Sequence, residues 1–389
     1  MKLRNLMYAT MIACAFASCS KDDVIDNGPD AKGDASLTID LGVKSTKTDI
    51  AADSETAVNN INIFLLEQST NEVVSRVYLT SEIKSGYTYT FDNLEVGQKL
   101  YCVGFANFGA EMTTVPENKV INVTDNIVGT NLPMHGISTD VTITAGDNVT
   151  TLTLVRDLAR VELVDLTLDM SQQGTEDVFT AGTFKFDFKS ASVNLAPKSS
   201  TVTFAKRGTG NERSYAVGTD FVGGLAADVW KWNDHQNKEQ NDSYKKSDET
   251  VTFAIYTISE TTQEQAVTKP ESIVFYVLPN EGTKAEGSTE YTNDNPTAFT
   301  LNGTMVVENA VRNGQTINNT YDSFYNIEIG KTGTITGQDK GAGILANKNY
   351  KISLAVAGIG GGSDGDRPSL KVRTVVEDWE EVSQVTPVH

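Results

Sequence analysis

Leu37-Thr38-Ile39-Asp40-Leu41-Gly42-Val43 carries an apolar side chain at every second position. Successive side chains of an extended chain point to opposite faces, so this run makes a strand with one dry face and one wet face. The same period returns along the chain. It is seen at Ile61, Ile63 and Leu65; at Tyr87, Tyr89 and Phe91; and at Phe184, Phe186 and Phe188. Val251, Phe253 and Ile255 repeat it, as do Tyr350, Ile352, Leu354 and Val356, then Leu370 and Val372. Asn, Asp, Gly and Thr punctuate the runs, with almost no sustained helical period between them. Strands at this density with polar connectors predict an all-β protein of packed sandwich domains with minor helix.

A chain of 389 residues is long enough for two such domains. The strand Thr151-Leu152-Thr153-Leu154-Val155 ends near Arg156, and Ala159-Arg160-Val161-Glu162-Leu163 begins a new alternation. The expected domains are therefore 35–155 and 156–389. The polar stretch from Trp230 to Thr250 reads as a long surface loop of the second domain. Trp230 and Trp232 flank Lys231 there; packing of the loop against the sheet is the plain reading, and a stacking platform for a ligand is the other.

Lys2 and Arg4 precede an apolar run from Leu6 to Ala17, too short to span a bilayer and followed by small residues, which is the pattern of a secretory signal over 1–18. Its end, Phe16-Ala17-Ser18-Cys19, resembles a bacterial lipobox, in which the cysteine is acylated and becomes the new N-terminus. Cys19 is then a lipid anchor; an ordinary signal peptide with an incidental cysteine is the alternative. Ser20-Lys21-Asp22-Asp23 follows, within a polar segment, 19–34, that reads as a flexible tether. The formal charge is −19, from 32 basic and 51 acidic residues, and loss of Lys2 and Arg4 makes it more negative. That charge argues against nucleic acid or an anionic membrane surface as partner.

Of three cysteines, Cys14 leaves with the signal and Cys19 carries lipid, so Cys102 stands alone and no disulfide framework exists. Its expected role is that of a small buried hydrophobe. The histidines His135, His235 and His389 form no catalytic signature. Gly360-Gly361-Gly362-Ser363-Asp364-Gly365 spells G-x-G-x-x-G, but Asp366, Arg367 and Pro368 follow where a helix would have to open, so it reads as a hairpin loop. Asp364 and Asp366 lack the further oxygen ligands of a calcium loop. No zinc, metalloprotease or serine-hydrolase pattern is present. The expectation is no metal, no cofactor and no catalysis.

The order of features then resembles the major fimbrial subunits of the Bacteroidales, the fimbrillins or type V pilins. The resemblance is carried by the lipobox, the tether, the first strand, a lysine-containing linker and Asn60-Ile61-Asn62-Ile63-Phe64-Leu65. It continues through Tyr101-Cys102-Val103-Gly104-Phe105-Ala106-Asn107 and Arg156-Asp157-Leu158-Ala159-Arg160-Val161-Glu162-Leu163. It ends with Asn349-Tyr350-Lys351-Ile352-Ser353-Leu354 and the segment from Leu370 to Trp379. Each piece is a generic strand, and the weight rests on their order and spacing over nearly the whole mature chain.

The resemblance implies two tandem transthyretin-like sandwiches and a structural role in a surface pilus that supports adhesion. It also implies a cycle. A lipoprotein precursor reaches the outer membrane, a trypsin-like protease cuts after a basic residue in the linker 44–58, and the first strand, 35–43, leaves. The vacated groove takes a C-terminal donor strand, 369–389, from another subunit. The displaced residues are Leu37, Ile39, Leu41 and Val43, whose burial is worth roughly 6 to 12 kcal/mol; the donor residues are Leu370, Val372, Val376, Val382, Val385 and Val388, the alternative for the segment as far as Trp379 being the last strand of the second domain's own sheet. Implied partners are other pilin subunits, the protease, the outer membrane through Cys19 and a host or bacterial surface receptor. Family members are cut after arginine, yet the linker holds only Lys44 and Lys47, which places the cut after Lys47 with Thr48 as the new N-terminus. The competing reading is a monomeric glycan-binding surface lipoprotein, with pilus anchor or tip adhesin as variants of the first.

Overall fold

A computed structural model describes residues 35–43, 55–80, 83, 87–122, 131–173, 178–204, 214–221, 245–247, 254–258, 264–269, 271, 273–360 and 370–379. It is built from strands. The first half contributes β1 (Ala35–Val43), β2 (Ile61–Glu67), β3 (Val73–Leu79), β4 (Thr88–Leu94), β5 (Lys99–Ala106), β6 (Asn118–Asn122), β7 (Met134–Ile137), β8 (Val141–Thr142) and β9 (Gly146–Arg156). The second half opens with β10 (Ala159–Leu168), a 3-10 turn at Met170–Gln172, β11 (Phe179–Asn194), β12 (Ser199–Thr203), β13 (Ser214–Val217), β14 (Lys245–Ser247) and β15 (Ala254–Ile258). It continues with β16 (Gln265–Ala266), β17 (Val274–Val277), β18 (Asn280–Glu281), β19 (Thr283–Lys284), β20 (Tyr291–Thr292) and β21 (Ala298–Arg312). The last strands are β22 (Gln315–Glu328), β23 (Thr334–Thr336), β24 (Gly343–Ile344), β25 (Lys348–Val356) and β26 (Leu370–Asp378).

The first sheet runs β3-β2-β5-β7-β9-β1-β4, with β8 on β5. Only Met134 with Arg156 and His135 with Val155 join β7 to β9, so the sheet folds over at that short seam into two layers. Gly104 on β5 marks their contact: a Cβ there would lie 2.7 Å from a methyl of Leu152 on β9. Between the layers, Leu37, Ile39, Leu41, Ile61, Ile63, Leu152 and Leu154 share one core. The second half closes the sheet β16-β10-β25-β26-β23 over β14-β11-β21-β22. Val161, Leu163, Ile352, Leu354, Val372 and Val376 of the former meet Phe184, Phe186, Phe188, Leu301 and Met305 of the latter in a second core.

The apolar residues up to Leu158 belong to the first core and those from Ala159 to Val376 mostly to the second. Four later residues cross over: Val202, Phe204, Leu278 and Trp379 are buried in the first core. The halves are also stitched by backbone, because β12 pairs antiparallel with β6 from Ser199–Asn122 to Thr203–Asn118. One expectation is corrected. The polar stretch 230–250 is not loop throughout, since β14 pairs with β11 from Ser190–Ser247 to Ser192–Lys245; Lys245, Lys246 and Ser247 add an edge strand through backbone bonds that need no apolar pattern.

Candidate functional site

β1 lies inside the first sheet with a neighbour on each side. It runs parallel to β9, where Leu37 registers with Asn148, Ile39 with Thr150, Leu41 with Leu152 and Val43 with Leu154. On its other side it is antiparallel to β4, with Leu37 opposite Phe91 and Ile39 opposite Tyr89. Ala35, Leu37, Ile39 and Leu41 point into the core, the middle two at 0% exposure. The alternate residues sit at the outer face, where Ser36 Oγ donates to Asp147 Oδ1 at 2.8 Å and the hydroxyls of Thr38 and Thr90 lie 2.9 Å apart. β4 pairs with no other described strand. Withdrawal of β1 would therefore open an apolar slot floored by the first core and edged by unpaired backbone groups of β9 and β4, which is a template for another strand.

The C-terminal strand sits elsewhere. β26 is antiparallel to β25 over nine residue pairs, from Val356–Leu370 to Lys348–Asp378, and parallel to β23 at Arg373, Thr374 and Val375. Val372 and Val376 are buried in the second core, with Thr374 between them at 0% exposure. Gly333 and Gly337, at φ of +79° and +93°, allow a close approach: a Cβ on either would fall within 2.2 Å of the carbonyl oxygens of Val372 and Val376. In this closed chain the segment assigned by sequence to an outgoing donor thus completes its own sheet as far as Asp378. The physical reason is its alternation, which suits any sandwich face with an open edge.

Where β26 ends, a buried polar cluster joins the halves. Trp379 is fully buried, and its backbone N–H donates to Asn347 O at 3.0 Å. The Arg156 guanidinium lies 4.3 Å from the Trp379 ring centroid, and the Tyr276 ring stacks on the same indole at 6.1 Å and 5°. Arg156 donates through Nε and Nη2 to the Glu55 carbonyl at 3.2 and 3.0 Å. The Glu55 carboxylate accepts from Arg160 Nε at 2.9 Å and Tyr276 Oη at 2.7 Å. Burial lowers the Arg156 pKa to about 10. Burial and the Glu55 carboxylate together raise that of Tyr276. For Arg160, burial pulls downward, but the hydrogen bonds and charges of Glu162 and Glu55 outweigh it and raise the pKa. Glu55 is thus clamped between the halves just downstream of 44–54, and Trp379 marks the place from which the C-terminal residues continue. Sequence reading noted Arg156 and Trp379 only as parts of strands; no local period pairs residues so far apart.

Cys102 is buried on β5, and burial pushes its thiol up to about 12. His135 Nδ1 lies 2.8 Å from Asp157 Oδ1, which also accepts from Tyr215 Oη at 3.0 Å; the ring packs against Phe204. Among the described residues no group of His, Cys, Asp and Glu has the arrangement to hold a metal ion. Cys19, Lys47, Thr48, Trp230, Trp232, the loop 361–369, Val382, Val385 and Val388 lie outside the described residues, as do the side chains of Val43 and Leu370.

No family model and no curated protein sequence matches the chain. Solved structures do match. A candidate cell-adhesion protein of Parabacteroides distasonis superposes with a TM-score of 0.55 at 19% identity, over 89% of this chain and 99% of that one. A fimbrilin of Porphyromonas gingivalis gives 0.53 at 16% identity, over 90% of this chain and 99% of the other. At these identities the likeness is one of fold, and the chain shares the all-β fold of these two proteins over about nine-tenths of its length.

Proposed function

We propose that the chain is a subunit of a surface pilus rather than an enzyme. In this reading it is exported as a lipoprotein precursor, anchored to the outer membrane through Cys19, and polymerised by strand exchange once a trypsin-like protease cuts after Lys47. β1 is the strand that leaves; β26 with the residues behind it, 369–389, is the strand that enters a neighbouring subunit. Its partners are other copies or related pilins, and a surface receptor.

The observation that carries this reading is the position of β1. It is an N-terminal strand between two neighbours, and it fills an apolar slot while ending at Val43 beside a lysine-bearing segment. Burial of Leu37, Ile39 and Leu41 contributes roughly 5–9 kcal/mol as an upper bound, and an emptied slot has that much drive to be refilled. A second strand supplies alternating side chains to the slot and backbone groups to both edges, which is recognition by β-augmentation. The fold shared with a fimbrilin over 90% of the chain agrees with this reading.

Electron microscopy of the purified protein before and after mild trypsin treatment tests it. Filaments are expected after cleavage and not before, and not from the Lys44→Ala, Lys47→Ala double variant. Filaments from the double variant, or monomers only after complete cleavage of the linker, would refute it.

A further inference from the structure

Four buried hydroxyls have no hydrogen-bond partner among the described residues, those of Thr150, Ser192, Ser200 and Thr374, and of these Thr150 Oγ1 lies on β9 beside β1 and Thr374 Oγ1 on β26. Thr150 and Thr374 are 5% and 0% exposed. An unpaired buried hydroxyl is a standing penalty that an apolar side chain of the same shape would not carry. Thr150 sits at the register position of Ile39, the middle inward residue of β1, and Thr374 is the middle inward residue of β26.

We propose that these two threonines set the register of the exchanged strand: when β26 of a second subunit replaces β1, Thr374 takes the place of Ile39 and its hydroxyl pairs with that of Thr150. The inference rests on the strand-exchange reading above. In this frame Val372 falls at Leu37 and Val376 at Leu41, so apolar residues meet the apolar slot on both sides of the threonine pair. A slip of two residues one way puts Thr374 beside Asn148, whose side chain already bonds Ser36 O, Thr144 and Gly146 O. A slip the other way puts it beside Leu152, which offers no polar atom. Odd slips turn the apolar face outward. One frame therefore satisfies the hydroxyls of both Thr150 and Thr374. Among the described residues threonine hydroxyls also meet across exposed antiparallel strands, at Thr38 with Thr90, 2.9 Å, and Thr283 with Thr292, 3.1 Å.

The test mixes trypsin-cut acceptor with uncut donor carrying Lys44→Ala and Lys47→Ala, both in a Cys19→Ser background, and measures capture of the donor. Thr150→Val in the acceptor or Thr374→Val in the donor should each weaken capture about tenfold, while the two together restore it and Thr→Ser at either site retains it. In the Cys-substituted pair, Thr150→Cys with Thr374→Cys should form an intermolecular disulfide, whereas Asn148→Cys or Leu152→Cys with Thr374→Cys should not. Additive single effects, single variants equal to wild type, or a disulfide from either slipped pair overturns the register proposal while leaving exchange intact. Failure of cut wild-type acceptor to capture any donor overturns the exchange reading itself, and this proposal with it.

Discussion

The Arg156 guanidinium stands 4.3 Å from the ring centroid of Trp379, with both side chains withdrawn from solvent. A buried cation on an indole face is among the stronger contacts of its kind. Here it binds the last residue of β9 to the residue that closes β26. Because Arg156 also holds the Glu55 carbonyl, the start of the described chain after 44–54 and the root of the C-terminal segment rest on one side chain.

Trp379→Ala should therefore unsettle both halves. It removes a fully buried ring from the first core and leaves Arg156 without its platform, and a loss of about 3–5 kcal/mol is expected in urea denaturation of the uncut protein. Trp379→Phe keeps an aromatic face and should lose less. Stability of the alanine variant within about 0.5 kcal/mol of wild type, the range of a neutral surface change, would contradict the clamp.

Strand periods announced most of the architecture, and the reason is that each sandwich face is read one chain at a time: Ile61, Ile63 and Leu65, or Ile352 and Leu354, carry their burial in their own alternation. What stayed illegible depends on distant partners. Glu55, Arg160 and Tyr276 look like ordinary surface residues in sequence, and only the docking of the halves gives them one another. β26 is open for a different reason, because alternation at Val372, Thr374 and Val376 says that the strand has a dry face without saying in which sheet, its own or a neighbour's. Lys245–Ser247 escaped because an edge strand can be held by backbone alone.

Cys102 should be inert in the folded protein. Its thiol is pushed from an ordinary 9.0 up to about 12, so the neutral form is held at physiological pH. The raised pKa means that its contribution to stability is complete below about pH 9 and is lost as pH rises toward about 12. Iodoacetamide should leave Cys102 unlabelled at pH 8 in the native protein and label it in denaturant. Equal labelling rates in the two states would show that the first core is open.

Cys19→Ala should abolish fatty-acid labelling and membrane retention of the exported protein. The motive is Phe16-Ala17-Ser18-Cys19 behind an apolar run. Palmitate labelling that persists in the variant would remove the anchor from the proposed function.

Limited trypsin digestion should produce Thr48 as the first new N-terminus, ahead of any cut within the described strands, because the backbone of a paired strand is already hydrogen-bonded to its neighbours and cannot enter a protease cleft. N-terminal sequencing of material recovered from filaments gives the answer directly. An intact bond after Lys47 in filaments would separate assembly from this cleavage.

Ile39→Ala distinguishes a strand that leaves from one that stays. Ile39 is fully buried between the registers of Thr150 and Tyr89, so in the uncut precursor its truncation should cost about 2–5 kcal/mol. Once Lys47 is cut and β1 has been replaced, residue 39 is no longer part of the fold. Filaments grown from the variant should then match wild-type filaments in heat and detergent resistance, although their precursor unfolds earlier and is cut faster. Weakening of precursor and filament by the same amount would mean that β1 remains in its slot, and that subunits join by some other surface.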